Sequence, residues 1–305
     1  MIQPAIEWRS AWQVQRQMRV RPMQVTFDPH FGDRALADSF AAARDDNKGS
    51  SDPAVGSPDL AIRLEQAVQM EGGKLMSKRI GILGGMSSES TTEYYEYITR
   101  TYTARFGDYG YPEIIIYSVS FQPYVDWPEQ DRWDLVAQGL SEAAQKLEAA
   151  GADFIVIATN TMHLVFDQVQ ASVNVPMLSL LDAVGEAILA RGMKTVGLLG
   201  TKFTMEKTFY QDALARRGIT VLVPDEEGRE YVNSVIYDEL VAGQIRDESR
   251  AGFVAIINKL AERGAEGIIL GCTEIPLLVS EEDAGMPLFD TTAIHAEAAL
   301  NYALA

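Results

Sequence analysis

The stretch FIVIATNTMH, residues 154–163, runs from apolar residues into a cluster of small polar ones. This pattern is typical of a buried parallel strand that delivers a loop to a functional site. The stretch GIILGCTEIP, residues 267–276, repeats it. When the preceding residues are included, AGADFIVIATNT aligns with RGAEGIILGCTE without a gap, and Thr159 falls on Cys272, the only cysteine of the chain. The two positions are therefore expected to be equivalent.

Two further pairs of segments match in the same order along the chain. RIGILGGM (79–86) matches TVGLLGTK (195–202), and VPMLSLLDA (175–183) resembles MPLFDTTAI (286–294). The strand segments are apolar without alternation and are separated by helical patterns, which indicates parallel sheets covered on both faces. The sequence therefore predicts an α/β fold made of two pseudo-symmetric parallel-sheet halves with a site in the cleft between them.

The repeat also predicts the domain division. The first half is expected to comprise residues 76–178 together with 290–305, and the second half residues 179–289. Residues 1–75 do not share the pattern, and 43–59, ARDDNKGSSDPAVGSPD, is polar and rich in Gly and Pro. Residues 1–75 are expected to be either a disordered extension or upstream sequence read as protein.

Composition excludes several classes of function. The formal net charge of −17 argues against nucleic-acid binding, which needs a basic face. No apolar run is long enough to span a membrane, and a single cysteine suits a reducing cytoplasm. The three histidines are widely separated, so no metal site is expected. A small-molecule site in the cytoplasm remains the favoured class.

Sites in parallel sheets lie at the carboxyl ends of the strands, so four loops are expected to converge. Inverting a stereocentre needs a base on one face of the substrate and an acid on the other, and a duplicated fold can place one group on each wall. A thiol suits this role because its pKa of about 8.5 is readily adjusted. The four loops are Gly84–Ser88, Thr159–His163, Thr201–Thr204 and Cys272–Ile275.

The motifs at these loops resemble those of the aspartate/glutamate racemase family over about residues 78–304. In this order they form a specific set, although GCT or GILGG alone would be weak evidence. The motifs are GILGGMSSEST (81–91), ATNTMH (158–163), GLLGTKFTME (197–206), GCTEIP (271–276) and FDTTAIHAEAA (289–299).

The resemblance implies an amino-acid racemase that works as a homodimer without a cofactor and uses one cysteine per half. Cys272 matches the second cysteine, and Thr159 stands where most members have the first. Asn160 and Thr161 match residues that hold the substrate α-carboxylate. The expected substrate-binding residues are Met86, Asn160, Thr161, Thr201, Thr273 and Glu274.

Thr159 departs from the thiol pair. The family branch specific for L-aspartate and L-glutamate resembles this chain in having TNTMH in the first half and GCTEI in the second, which favours Thr159 as a branch feature. A hydroxyl is a far weaker acid than a thiol and a poor base unless it is activated. The unequal pair therefore predicts that one direction is kinetically favoured while the equilibrium between enantiomers stays at unity.

The positions expected to bind the side chain of the substrate also differ from the family pattern. Pro128 and Tyr231 occupy positions where the resemblance leads one to expect an amide and a lysine, although Arg229 is close in sequence. A larger or less polar substrate than aspartate or glutamate is therefore an open alternative. Two other functions also stay open: a one-thiol decarboxylase or cis–trans isomerase of a small diacid, and a catalytically silent amino-acid-binding protein.

Overall fold

Eight parallel strands form two four-stranded sheets in the computed structural model, which describes residues 77–305. The predictions for residues 1–75 lie outside these residues. The strand order is β2-β1-β3-β4 in the first sheet and β6-β5-β7-β8 in the second, so both sheets repeat one topology. The strands are β1 Ile80–Gly84, β2 Ile114–Ser118, β3 Phe154–Ile157, β4 Met177–Leu178, β5 Thr195–Leu199, β6 Thr220–Leu222, β7 Ile268–Leu270 and β8 Leu288–Asp290.

Helices connect the strands and cover both faces of the sheets, which confirms the predicted α/β fold with two parallel-sheet halves. The α-helices are α1 Ser88–Phe106, α2 Gln122–Glu129, α3 Trp133–Ala149, α4 Phe166–Gln170, α5 Leu180–Ala190, α6 Lys202–Glu206, α7 Phe209–Ala215, α8 Glu226–Val235, α9 Asp247–Glu262, α10 Ile275–Leu278, α11 Glu281–Ala284 and α12 Thr291–Leu304. A 3-10 helix covers Thr161–Val165, and a π-helix covers Ile236–Leu240.

The turn after β1 is fixed by local chemistry. Gly85 has a φ of 93°, and a Cβ there would collide with the backbone of Val119. Ser87 then caps α1 by accepting a hydrogen bond from the Ser90 backbone N–H at 3.3 Å, as a serine at this position is suited to do. The first loop of the predicted site is thereby held against the end of its sheet.

Two helical segments of the second half change their course without a local signal. The segment 205–218 contains the end of α6 and the whole of α7, because Lys207 is extended, with a ψ of 144°, just after α6 ends at Glu206. The segment 231–243 continues from α8 into the π-helix. Neither break has a proline or glycine to signal it in the sequence.

One helix that follows each sheet packs against the other half of the molecule. Helix α5 follows β4 of the first sheet, yet its apolar side chains share a buried cluster with β5 and α7 of the second half. Helix α12 follows β8 of the second sheet, yet it packs on α1 and shares a cluster with β1 and β3. The division of the chain near residues 178 and 290 stays a prediction.

Candidate active site

The loops after β3 and β7 hold equivalent positions in the two sheets. Thr159 lies two residues beyond the end of β3, and Cys272 lies two residues beyond the end of β7. Both side chains are partly exposed, whereas the strands before them are buried. The predicted equivalence of a hydroxyl and a thiol at two matching strand ends is therefore a property of the fold.

Cys272 and Thr273 both donate a hydrogen bond to the carboxylate of Glu274. The Sγ of Cys272 donates a hydrogen bond to Glu274 Oε2 at 2.9 Å, and the Thr273 hydroxyl donates to the same oxygen at 2.8 Å. Burial raises the pKa of the Cys272 thiol well above its ordinary value, and the charge of Glu274 raises it further. Cys272 therefore rests as a protonated thiol with a proton acceptor in contact.

Tyr237 lies near Cys272 and Glu274, although no motif in the sequence pointed to it. It lies in the π-helix, which packs against α10, the helix that begins just after Glu274. Burial raises the pKa of Tyr237, and the nearby charges of Cys272, Glu274 and Glu129 act in the same direction. A π-helix beside a candidate site is a common arrangement, and its i→i+5 hydrogen bonding could have been found only from the structure.

Thr159 is held by its backbone. Its N–H donates to Ile157 O at 2.9 Å, and its carbonyl is 2.9 Å from His163 Nδ1. Within residues 77–305 its hydroxyl makes no hydrogen bond, so the side chain can reach a ligand without first breaking one. The arrangement fixes the loop and leaves the reactive atom available.

Asn160 joins the two halves. Its amide nitrogen donates to Thr291 Oγ1 at 3.0 Å, and its amide oxygen accepts from the Tyr210 hydroxyl. Thr291 in turn donates to Leu270 O at the end of β7, at 2.9 Å. Because the amide oxygen and one amide hydrogen are already engaged, the side chain has one N–H left for the predicted contact with a carboxylate. Thr291 lies in a motif quoted above, but no local pattern pointed to Tyr210.

Thr161 and Thr201 meet through a third threonine. The Thr204 hydroxyl lies 3.1 Å from that of Thr201 and 3.5 Å from that of Thr161. Thr201 also caps α6, because its hydroxyl accepts a hydrogen bond from the Thr204 backbone N–H at 3.3 Å. The structure thus brings these two predicted residues together across the halves through Thr204, which ends the predicted loop but was not among the predicted binding residues.

Met86 lies in the hydrophobic core of the first half. It is buried, and it belongs to the same apolar cluster as Leu83 and Tyr124. Its predicted place was the lining of the substrate pocket. The structure gives it a packing role next to the first loop, because the turn at Gly85 directs the chain back into the core before α1 begins.

The basic side chains near the segments around Pro128 and Tyr231 are paired with carboxylates of the protein. Arg132 in the first half binds its partner through two hydrogen bonds of 2.8 and 2.6 Å. Arg229 also donates to Pro224 O at 3.0 Å. The pairs are Arg132 with Asp134, Lys202 with Glu230, and Arg229 with Glu206.

Aromatic residues lie beside these basic side chains in the same segments. The Tyr231 hydroxyl lies against Gly252 of α9, where a Cβ would collide with it, so Tyr231 packs within its own half. Trp133 of the first half contacts Phe203 of the second, with ring centroids 4.9 Å apart. The edge of the site is therefore more aromatic than basic.

Residues 77–305 hold neither a candidate membrane span nor a candidate metal cluster. Among the helices of residues 77–305, none has the length and hydropathy needed to cross a bilayer. The same residues contain no cluster of three or more His, Cys, Asp or Glu side chains suited to a metal ion.

Comparison with known proteins gives one consistent family. Residues 83–299 match the model of the Asp/Glu/Hydantoin racemase family. The broad specificity amino-acid racemase RacX of Bacillus subtilis is 28% identical over 230 residues, which are 74% of this chain and 98% of that protein. The fold and the family predicted from the sequence are confirmed, whereas membership of the branch with a Thr/Cys pair stays a prediction.

Two solved structures are more similar in sequence. A proposed Asp/Glu racemase from Yersinia pestis is 46% identical, with a TM-score of 0.72 over 75% of this chain and 100% of that one. An aspartate racemase homologue from Pyrococcus horikoshii is 43% identical, with a TM-score of 0.68 over 74% of this chain and 99% of that one. In both cases the match spans nearly the whole of the related protein.

Proposed function

Because the chain belongs to the Asp/Glu/Hydantoin racemase family, we propose that it is a cofactor-independent amino-acid racemase in which Cys272 and Thr159 serve opposite faces of the α-carbon. The single observation that carries this proposal is the contact of the Cys272 thiol with the Glu274 carboxylate at the end of β7. The equivalent position at the end of β3 carries Thr159. A general acid and base on two walls is what inversion requires.

Proton transfer on the Cys272 side uses both members of the pair. In one direction the thiol gives its proton to the α-carbanion and becomes a thiolate. In the other, Glu274 accepts the thiol proton, and the resulting thiolate removes the α-proton of the substrate. Glu274 is placed for this exchange because its Oε2 is 2.9 Å from Sγ. A positioned acid or base of this kind contributes about 10²–10⁴-fold to a rate.

Proton transfer on the Thr159 side is expected to be slower. A threonine hydroxyl exchanges its proton reluctantly, so the step either uses a transient alkoxide or passes through a water molecule on that face. We propose that the two rates differ and that the enzyme favours one direction kinetically. The equilibrium constant stays at unity, because two enantiomers have the same free energy in an achiral solvent.

The substrate α-carboxylate is proposed to bind between the two halves. The remaining amide hydrogen of Asn160 and the hydroxyls of Thr161 and Thr201 are the polar groups that support this placement. Thr273 supports it indirectly, because its hydroxyl helps to hold Glu274. Hydrogen-bond donors at these loops would also stabilise negative charge that develops on the carboxylate as the α-proton leaves.

We propose that the substrate range is not limited to aspartate and glutamate. The basic side chains near the segments around Pro128 and Tyr231 already bind carboxylates of the protein, and aromatic rings occupy the positions around them. RacX, a relative that spans most of this chain, is described as having broad specificity. A neutral amino acid should therefore be accepted at least as well as an acidic one.

The two alternative functions, a one-thiol decarboxylase or isomerase and a silent binding protein, are not favoured by the comparisons, which give racemases.

We also propose that the protein is a cytoplasmic homodimer. The exposed apolar side chains of Ile116 on the edge strand β2 and of Phe121 and Val125 beside it support an interface between copies. Light scattering after size-exclusion chromatography tests this proposal, since a single species at the monomer mass would contradict it.

Proton NMR in D₂O tests the activity. Loss of the Cα–H signal is followed for each enantiomer of aspartate, glutamate and a panel of neutral amino acids, with Cys272→Ser as the control. We expect exchange with inversion for at least one amino acid, and a fall in racemisation of about 10³-fold in the variant. Exchange in the wild type that survives in Cys272→Ser with inversion intact would refute the role of the thiol. Absence of exchange from every amino acid would refute the racemase.

A further inference from the structure

His163 is buried between two backbone groups that belong to different segments. Its Nδ1 is 2.9 Å from the carbonyl oxygen of Thr159, and its Nε2 is 3.0 Å from the backbone nitrogen of Leu180. The Leu180 N–H can only donate, so Nε2 is the acceptor of that bond. Nδ1 therefore carries the hydrogen of the neutral ring and donates it to Thr159.

The surroundings keep this ring neutral. His163 is 4% exposed, stacks on Phe166 and meets the ring of His295 edge-on at 5.8 Å. Burial lowers the pKa of His163 to about 4, although hydrogen bonds with the backbone of Thr159 and Asn160 and the charge of Asp182 oppose that shift. His295 is neutral as well, because its Nδ1 and Nε2 are bonded to the Tyr94 hydroxyl and Leu178 O, and burial lowers its pKa to about 3.

The two bonds of His163 connect the Thr159 loop to the crossing between the halves. Leu180 is the first residue of α5, the helix that follows β4 and packs into the second half. A neutral imidazole with one donor and one acceptor joins a carbonyl to an N–H in a way that few side chains can reproduce. The Thr159 loop is thus anchored to the element that fixes the position of the other half.

The equivalent loop of the second half is anchored differently. In the alignment that places Thr159 on Cys272, His163 falls on Pro276, which has no side-chain donor. The carbonyl of Cys272 instead accepts a hydrogen bond from the Ile275 backbone N–H at 3.3 Å. The histidine bridge therefore serves only one of the two faces.

We propose that His163 is a positioning residue that orients Thr159 for proton transfer on its own face of the substrate. This role rests on the proposed function, because it concerns one half of the two-face reaction. His163 does not touch the reacting atoms; it acts through the backbone of Thr159. Loss of its bond to Thr159 should therefore slow exchange on one face and spare the other.

Two variants separate the two hydrogen bonds of the ring. His163→Asn places an amide where Nδ1 lies and can keep the bond to the Thr159 carbonyl. His163→Gln places an amide near Nε2, so it keeps the Leu180 contact and loses the bond to Thr159. The initial Cα–H exchange rate is measured for each enantiomer in D₂O, and the enantiomer served by Thr159 is identified as the one whose exchange Thr159→Val suppresses.

We expect His163→Gln to slow exchange of the Thr159-served enantiomer by tenfold or more and to leave the other within about twofold, whereas His163→Asn retains most of both rates. In the Thr159→Val background, His163→Gln should add little. Rates are normalised to the folded fraction, and His295→Gln controls for the loss of a buried histidine that does not contact Thr159.

Two results would overturn the role of His163. An equal fall for both enantiomers in His163→Gln, matched by His295→Gln, would mean that His163 only supports the fold. Unchanged rates in both His163 variants would mean that Thr159 needs no anchor. A wild-type protein that exchanges no amino acid would instead refute the proposed racemase itself, which the same spectra distinguish.

Discussion

The loop after β3 and the loop after β7 occupy the same place in two copies of one topology, but their surroundings differ in charge. Cys272 donates to the carboxylate of Glu274, so its neighbourhood is acidic and its thiol stays protonated. Thr159 is tied through its carbonyl to a neutral histidine, and no charged group bonds to it within residues 77–305. The loop after β7 therefore places a proton acceptor beside its reactive group, whereas the loop after β3 only holds its backbone in place.

The difference shows how a duplicated fold can support unequal chemistry. The strand order and the register of each sheet fix where the two loops end, so the positions of Thr159 and Cys272 are the same. The contacts that set proton affinity come from the residues just after each strand, which are free to diverge. Two equivalent positions can therefore differ in the rate at which each exchanges a proton.

Substituting Thr159 should produce the largest change in the relative exchange rates of the two enantiomers. Thr159→Cys places a thiol on both walls, and we expect exchange on that face to rise by roughly tenfold or more, which would bring the two directions closer together. Thr159→Val keeps the shape without the hydroxyl and should lower exchange on the same face by about 10²-fold. The measurement is the ratio of initial exchange rates of the two enantiomers.

If Thr159→Val leaves that ratio unchanged, the hydroxyl takes no part in proton transfer, and a water molecule or another group must serve that face. Thermal melting of both variants provides the control. Thr159 is partly exposed, and its hydroxyl makes no hydrogen bond to residues 77–305, so neither variant should lose much stability.

Acidification should destabilise the fold through two buried histidines, His163 in the loop after β3 and His295 in α12. The folded-state pKa values of His163 and His295 are about 4 and about 3, below the ordinary value of 6.5. The unfolded chain therefore binds more protons below pH 6.5, and the free energy of unfolding falls as the pH falls towards these values. We expect a loss on the order of 2 kcal/mol per histidine between pH 7 and pH 5.

Urea unfolding at several pH values between 7 and 5 measures this loss. The carboxylates whose pKa is lowered, such as Asp153 and Glu266, titrate below this window and contribute little to it. The variant His163→Asn should show a shallower dependence than the wild type, because one of the two protons is no longer taken up on unfolding. Parallel curves for the two proteins would contradict a buried neutral His163.

Much of the fold followed from the sequence because its signal is repeated. Apolar strands before Thr159 and Cys272 and the matching segments at 79–86 and 195–202 predicted both sheets and the place of the site. The capping serine of α1 could also be expected, since Ser87 and Ser88 lie just before the helical pattern. Periodicity and caps are local properties, so the sequence displays them directly.

The remaining features depend on packing between distant segments. The engagement of Asn160 requires Tyr210 of α7 and Thr291 of α12, which lie 50 and 131 residues away in the sequence. The burial of Met86 follows from the tight turn at Gly85, and no periodicity reports it. The contacts that decide what each site residue can do are therefore the ones that a pattern search could not find.

Removing the negative charge of Glu274 beside Cys272 should have the smallest effect of these changes. Glu274→Gln takes away the negative charge that, after burial, raises the pKa of Cys272. The thiolate fraction at pH 8 should increase, and alkylation of the single cysteine by iodoacetamide should speed up by about fivefold to tenfold. Mass spectrometry of the intact protein over time measures this rate without interference from other thiols.

Racemisation should fall in the same variant, because glutamine cannot accept the thiol proton when Cys272 acts as a base. Faster alkylation together with slower racemisation would show that reactivity towards an electrophile and catalysis depend on Glu274 in opposite ways. Glu274→Asp retains the charge on a shorter side chain and serves as the matched control. If alkylation is no faster in Glu274→Gln, burial alone keeps the thiol protonated, and the contrast between the two loops lies in their hydrogen bonds and not in their charge.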